Sequence, residues 1–145
     1  GLAALTLLLD MGKGYAAVYI ALQISDGLGV LAGLGAFLGH LYPVWLRFNG
    51  GKGVATLLGV VTALIPMVGL IFAVTWLGSL AIWRYSSVGG MLAAISVPIA
   101  AFVLGEYAMM PMFIGLALLV LWKHRSNIER LMSGDEPKVG SPKKA

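Results

Sequence analysis

Apolar residues fill this chain in long runs, and polar residues gather at the breaks between them. About twenty apolar residues span a bilayer core of roughly 30 Å. Residues 2–24 form one such run, interrupted by Asp10 and Lys13. Residues 28–42 form a second, shorter and rich in the small residues that let helices approach closely in lipid. Residues 54–83 carry no charge at all. As one helix that stretch would be about 45 Å long, too long for a single untilted span. Pro66 lies near its middle, so the pattern predicts two helices, 53–64 and 67–83. Runs at 88–104 and 108–122 complete six predicted transmembrane segments. Segment 53–64 is short enough to suit a half-helix buried among the others as well as a span.

Charge supports the division. Arg47 and Lys52 share one link and Arg84 lies in another. Lys123, Arg125, Arg130, Lys138, Lys143 and Lys144 follow the last run. The alternate links hold Asp26, nothing charged near Pro66, and Glu106. With six spans every Lys and Arg of the links falls on one side, which the positive-inside rule makes cytoplasmic, with both ends inside. The expected organisation is an all-α membrane domain over residues 1–132 and a disordered cytoplasmic tail over 133–145, which is polar and has no apolar period.

Composition narrows the class. Of 145 residues 59% are hydrophobic and 11% charged, against about 25% charged in a soluble domain. The mean hydropathy is +0.92. There is no cysteine, which excludes disulfides and thiolate metal sites. His40 and His124 are far apart in sequence and do not suggest a metal cluster. The net charge of +4 is carried by links and tail, with no basic stripe interleaved with aromatics, so nucleic acid is not an expected partner.

The candidate chemistry lies in the links. Residues 48–56 read FNGGKGVAT. A nucleotide-binding P-loop needs a glycine five residues before the Gly-Lys pair and Ser or Thr after it. Here Leu46 and Gly53 occupy those places. The more general physics still applies: Gly50, Gly51 and Gly53 let main-chain N–H groups approach an anion, the start of a helix favours negative charge, and Lys52 adds a full positive charge. The plainer alternative is a flexible loop with a topology-setting lysine. In GHLYPVW, residues 39–45, Pro43 is expected to end a helix, and His40 and Tyr42 either cap it or shape the mouth of a site. In KHRSNIERL, residues 123–131, a membrane anchor explains Lys123 and Arg125 but not His124 or Asn127. Arg125 suits phosphate and His124 can donate, accept or move a proton. In WRYSS, residues 83–87, Arg84 is the only charge, and Ser87 either caps a helix or adds to an anion site. Asp10 and Lys13 stand three residues apart within a span, so they either pair or mark a functional site. Lys52, Arg84, Arg125 and His124 on one membrane face suit a phosphate-bearing substrate with an apolar tail. A small-anion transporter or channel is the alternative, favoured by the intramembrane Asp10 and Lys13 and the broken helices.

These stretches resemble one family. GHLYPVWLRFNGGKGVAT and HRSNIERLMSGDEPK resemble its central and C-terminal signatures, LLLDMGKG its second helix and RYSSVGG its third cytoplasmic link. The family is the bacterial acyl-phosphate-dependent glycerol-3-phosphate acyltransferases of the PlsY type. The resemblance covers nearly the whole chain. It implies a bundle of seven helices, of which the six segments here would be the last six. Neither the family's first helix nor its glycine-serine-glycine-asparagine loop is matched, which implies little activity from these 145 residues alone. Asn49 stands where the family usually has lysine.

The implied reaction moves a fatty acyl group from acyl phosphate to the 1-hydroxyl of glycerol 3-phosphate, giving lysophosphatidic acid and phosphate, the first acylation of bacterial phospholipid synthesis. By position the resemblance assigns phosphate binding to Gly50, Gly51, Lys52 and Gly53, the middle wall to Arg84 and Ser87, and contacts with glycerol 3-phosphate to His124 and Asn127. The catalytic set expected is His124, Asn127 and Lys52, with Arg125 and His40 as further binding residues. A substrate phosphate oxygen is the expected proton acceptor, because cations around His124 disfavour its charged form, and His124 is the rival base. The expected partners are the two substrates and membrane lipid, with no cofactor and no metal. The chain is read as a monomer in the bacterial inner membrane, its site facing the cytoplasm.

Overall fold

The computed structural model describes residues 1–141, and these are helical with no strand among them. Seven helices follow in order: α1 (Leu2–Leu22), α2 (Asp26–Leu41), α3 (Val54–Leu64), α4 (Pro66–Trp83), α5 (Ser86–Val103), α6 (Met110–Lys123) and α7 (Arg125–Ser133). The breaks fall where local chemistry demands them. Pro43 follows the last turn of α2, and Pro66 opens α4, where its missing N–H costs no intrahelical bond. Four helical stretches are long and apolar enough to cross a membrane, or five if the bent pair Tyr107–Lys123 and Arg125–Ser133 is one span.

The expected six spans need one correction. α3 has eleven residues, a rise of about 16 Å, which is half of a bilayer core. It is the half-helix of the two forms the pattern allowed.

The chain divides into two compact units, the first Gly1–Leu70 and the second beginning at Ile71. In the first, α3 packs along α1 at two glycines. A Cβ on Gly59 would fall on the Met11 carbonyl oxygen, and one on Gly14 would lie 2.6 Å from the Thr56 carbonyl oxygen. Lipid tails are as apolar as leucine, so helices in a bilayer gain little from burial and associate by close packing. These glycines supply it. Val18, Phe37, Leu41, Leu57, Val60 and Val61 close the core around the contact.

In the second unit α5 packs against α6. Ala93, Ala94, Val97 and Ala101 meet a core with Phe113, Leu116 and Val120. Apolar side chains such as Leu77, Phe102 and Leu118 point outward, as helices facing lipid require.

Candidate functional site

In the first unit the glycine-rich link folds back onto the helix before it. After Pro43 the chain makes a 3-10 turn, Val44–Leu46, and Arg47 and Phe48 then take left-handed backbone with φ of 51° and 63°. Two successive non-glycine residues in that region store strain that the surrounding contacts must hold. The turn brings Gly50 N–H to the Leu41 carbonyl and Gly51 N–H to the His40 carbonyl, each at 3.2 Å. Both carbonyls belong to the end of α2, where the helix itself supplies no donor.

This changes the reading of the glycines. The N–H groups of Gly50 and Gly51 bond to α2 and are not offered to an anion. What makes glycine necessary is closeness: a Cβ on Gly50 would meet the carbonyl oxygens of His40 and Leu41, and one on Gly51 would meet the His40 ring. Gly53 is the N-cap of α3 with φ +88°, and a Cβ there would run into Phe37. The link therefore delivers Lys52 to the start of α3, whose first-turn N–H groups at Val54, Ala55 and Thr56 have no acceptor within the helix. The fully buried Thr56 hydroxyl in that turn makes no hydrogen bond among the described residues.

His40 also meets Asp10 and Lys13. Lys13 Nζ lies 2.5 Å from Asp10 Oδ1 and 2.7 Å from His40 Nδ1, and His40 Nδ1 is 3.4 Å from the same Asp10 oxygen. Of the two readings left open for Asp10 and Lys13, the pair is present, with the histidine as a third member.

In the second unit the polar groups gather where α6 gives way to α7. The axis bends by 53° there, with His124 at the joint. His124 Nδ1 is 2.8 Å from the Val120 carbonyl, so it carries the hydrogen, and in the neutral ring Nε2 keeps the lone pair. His124 and Asn127 are both buried.

Asn127 and Ser87 share one acceptor. Asn127 Nδ2 donates to Glu136 Oε1 at 2.6 Å, Ser87 Oγ donates to the same oxygen at 2.5 Å, and Arg130 Nε donates to Oε2 at 2.8 Å. Burial pushes the Glu136 pKa up, but the bonds from Ser87, Asn127 and Arg130 and the charge of Arg130 outweigh it and hold the carboxyl below its ordinary value.

Glu136 comes from the segment expected to be a disordered tail. Over 134–141 that segment instead docks, and 142–145 lie outside the described residues. Val139 N–H donates to the Arg84 carbonyl at 2.7 Å, and Arg84 Nε and Nη2 donate back to the Val139 carbonyl at 3.2 and 2.8 Å. Lys138 Nζ stands 5.4 Å from the centre of the Tyr85 ring. Residues 84, 85 and 87 thus meet 139, 138 and 136 in turn, so the two segments run antiparallel. Arg84 takes left-handed backbone, φ 62°, at the head of this pairing.

The structure thus joins Ser87 to Asn127 and commits Arg84 to the docked segment. Arg125 is turned elsewhere: its guanidinium lies 5.1 Å from the centre of the Trp122 ring and donates to the Trp122 carbonyl. Glu136 and Arg130 are the residues that sequence reasoning passed over. No group of three His, Cys, Asp or Glu suited to a metal is found among the described residues.

The described residues thus form a helical membrane protein with Lys52 just ahead of the short helix α3 and with His124 and Asn127 buried at the α6–α7 joint. A sequence model described as glycerol-3-phosphate acyltransferase matches residues 1–134, and the chain belongs to that family. The glycerol-3-phosphate acyltransferase of Mesorhizobium japonicum is 53% identical over 141 residues, covering 97% of this chain and 72% of the relative. That of Zymomonas mobilis is 47% identical over 156 residues, covering 97% and 74%. The crystal structure of PlsY (YgiH), an integral membrane glycerol 3-phosphate acyltransferase, in its glycerol 3-phosphate form matches with a TM-score of 0.88 and 39% identity, covering 94% of this chain and 70% of that one. The lysophosphatidic acid form of the same enzyme matches with the same score.

Proposed function

We propose that the protein transfers a fatty acyl group from acyl phosphate to the 1-hydroxyl of sn-glycerol 3-phosphate. The observation that carries this reading is the likeness to an enzyme whose two crystal forms hold the acceptor, glycerol 3-phosphate, and the acylated product, lysophosphatidic acid. Acyl transfer to glycerol 3-phosphate follows from membership of the family. Acyl phosphate as donor follows from the resemblance in the signatures.

The chemistry needs little beyond placement. The hydroxyl oxygen attacks the acyl carbon, the bond from that carbon to the phosphate oxygen breaks, and the hydroxyl proton passes to a phosphate oxygen. Phosphate is a good leaving group, so no covalent enzyme intermediate is required. What the protein supplies is orientation and neutralisation of charge. We assign Lys52 and the first-turn N–H groups of α3 to a substrate phosphate, an arrangement that a helix N-terminus favours. Gly50, Gly51 and Gly53 shape that turn, and His40 supports it. His124, through Nε2, and Asn127 orient glycerol 3-phosphate, with Ser87 and Arg84 as the wall beside them. The lysine and arginine distribution supports a cytoplasm-facing site in the inner membrane.

The test is release of inorganic phosphate on mixing the purified full-length protein with palmitoyl phosphate and glycerol 3-phosphate, with lysophosphatidic acid identified by mass spectrometry. Release that depends on glycerol 3-phosphate is expected. No release from the full-length protein would overturn the reading.

A further inference from the structure

Asp10 and Lys13 have no part in the chemistry just described, yet they stand about midway along α1, where an ionisable pair is costly in lipid. Lys13 resolves part of that cost by donating to Asp10 Oδ1 at 2.5 Å. Its second contact is more informative. An ammonium group has donors and no acceptor, so at 2.7 Å from His40 Nδ1 it requires a lone pair on that nitrogen. The ring hydrogen is then on Nε2, in the neutral ring. Asp10 Oδ1, an acceptor for a hydrogen on the same nitrogen, is farther at 3.4 Å, so the closer Lys13 contact from α1 favours this tautomer of His40.

The other side of the ring faces the glycine link. Nε2, Cε1 and Cδ2 of His40 are the atoms that a Cβ on Gly51 would strike, and the His40 carbonyl accepts the Gly51 N–H at 3.2 Å. Gly51 is therefore held twice by one residue, by its ring and by its main chain. Lys52 follows directly.

We propose that Asp10 and Lys13 are positioning residues for the glycine link: they fix the tautomer and orientation of the His40 ring, and His40 in turn holds Gly51 so that Lys52 and the start of α3 meet a substrate phosphate in one geometry. Neither residue touches substrate. Lys13 supplies the hydrogen bond to the ring, and Asp10 accepts from Lys13 and holds it in place. The placement role rests on the reading of the link as a phosphate site, whereas the tautomer does not.

Two measurements on the full-length protein in detergent test the proposal. Histidine-selective ¹⁵N NMR at pH 7.5, with His40 assigned by the loss of its signals in His40→Gln, is expected to show the neutral Nε2–H tautomer. A ring with its hydrogen on Nδ1, or a doubly protonated ring, overturns the proposal whatever the variants do. Steady-state kinetics gives the second arm. Lys52→Met identifies which phosphate substrate the link serves by raising its KM. Lys13→Met is expected to raise that same KM by about tenfold, the loss of one charge-assisted hydrogen bond, with kcat changed less than threefold. Lys13→Arg is expected to recover most of the loss. If Lys52→Met raises a KM and Lys13→Met does not, the positioning role is wrong and the phosphate link stands. If Lys52→Met raises neither KM, the phosphate link itself is wrong, and the role given to Asp10 and Lys13 falls with it.

Discussion

Ser87 Oγ lies 2.5 Å from Glu136 Oε1, joining the first turn of α5 to the segment beyond α7. The same oxygen accepts from Asn127, so one carboxylate satisfies two buried donors. Removing it leaves both without that acceptor, at a cost of about 1–3 kcal/mol for each buried group left unsatisfied. Glu136→Ala is expected to lower the unfolding temperature in detergent clearly. Glu136→Gln, which keeps an acceptor but loses the charge paired with Arg130, is expected to lower it less. Equal unfolding temperatures for the wild type and Glu136→Ala would show that the docked segment adds no stability.

The same carboxyl predicts a pH dependence. Its ordinary value is 4.5 and the fold holds it lower. The folded state therefore favours the ionised form. That contribution is fully present above pH 4.5 and is lost as pH falls through the lower folded value. The stability gap between the wild type and Glu136→Gln should be constant from pH 7 to about 5 and narrow below 4.5. Chemical denaturation across that range measures it, and a gap that widens in acid would reverse the sign.

His124→Gln separates two origins of the proton transfer. Glutamine can hold a hydrogen bond but cannot act as a base near neutral pH. With a substrate phosphate as proton acceptor, kcat should fall less than about a hundredfold and the KM for glycerol 3-phosphate should rise. A general base contributes about 10²–10⁴-fold. A kcat loss of several orders of magnitude at unchanged KM would move the role to His124.

Gly59→Ala tests the crossing of α1 and α3. The new methyl would meet the Met11 main chain, which cannot swing aside. Overpacking of this kind costs about 1–3 kcal/mol or more. Gly35→Ala on α2, where a Cβ has nothing within 4 Å, is the control and should be near neutral. Unfolding temperatures of the two variants in detergent decide it.

Much of the fold is legible because proline and charge punctuate it. Pro43 and Pro66 mark helix boundaries that a one-dimensional pattern can carry, and the pairing of Asp10 with Lys13 follows from their spacing on one helix. The bend at His124 has no proline or glycine to announce it, and there the helix turns onto the amphipathic α7. Glu136 lies in a polar run whose composition reads as tail. Its partners are nine and forty-nine residues away, and no local period records such a meeting. The glycines of the link misled for a related reason. Their spacing shows that the main chain comes close to something, but not that the something is α2 itself. Arg125 suits phosphate by residue type, and its place over the Trp122 ring is a contact that residue type alone does not carry.

The antiparallel docking of 136–139 on 84–87 also has a consequence in the order of synthesis. The ribosome makes α4 and α5 well before residue 136, so Ser87, forty-nine residues upstream, waits for its acceptor far longer than Asn127, nine residues upstream. Closing this part of the membrane protein is then a polar event: a short charged segment docks onto helix ends that were made before it.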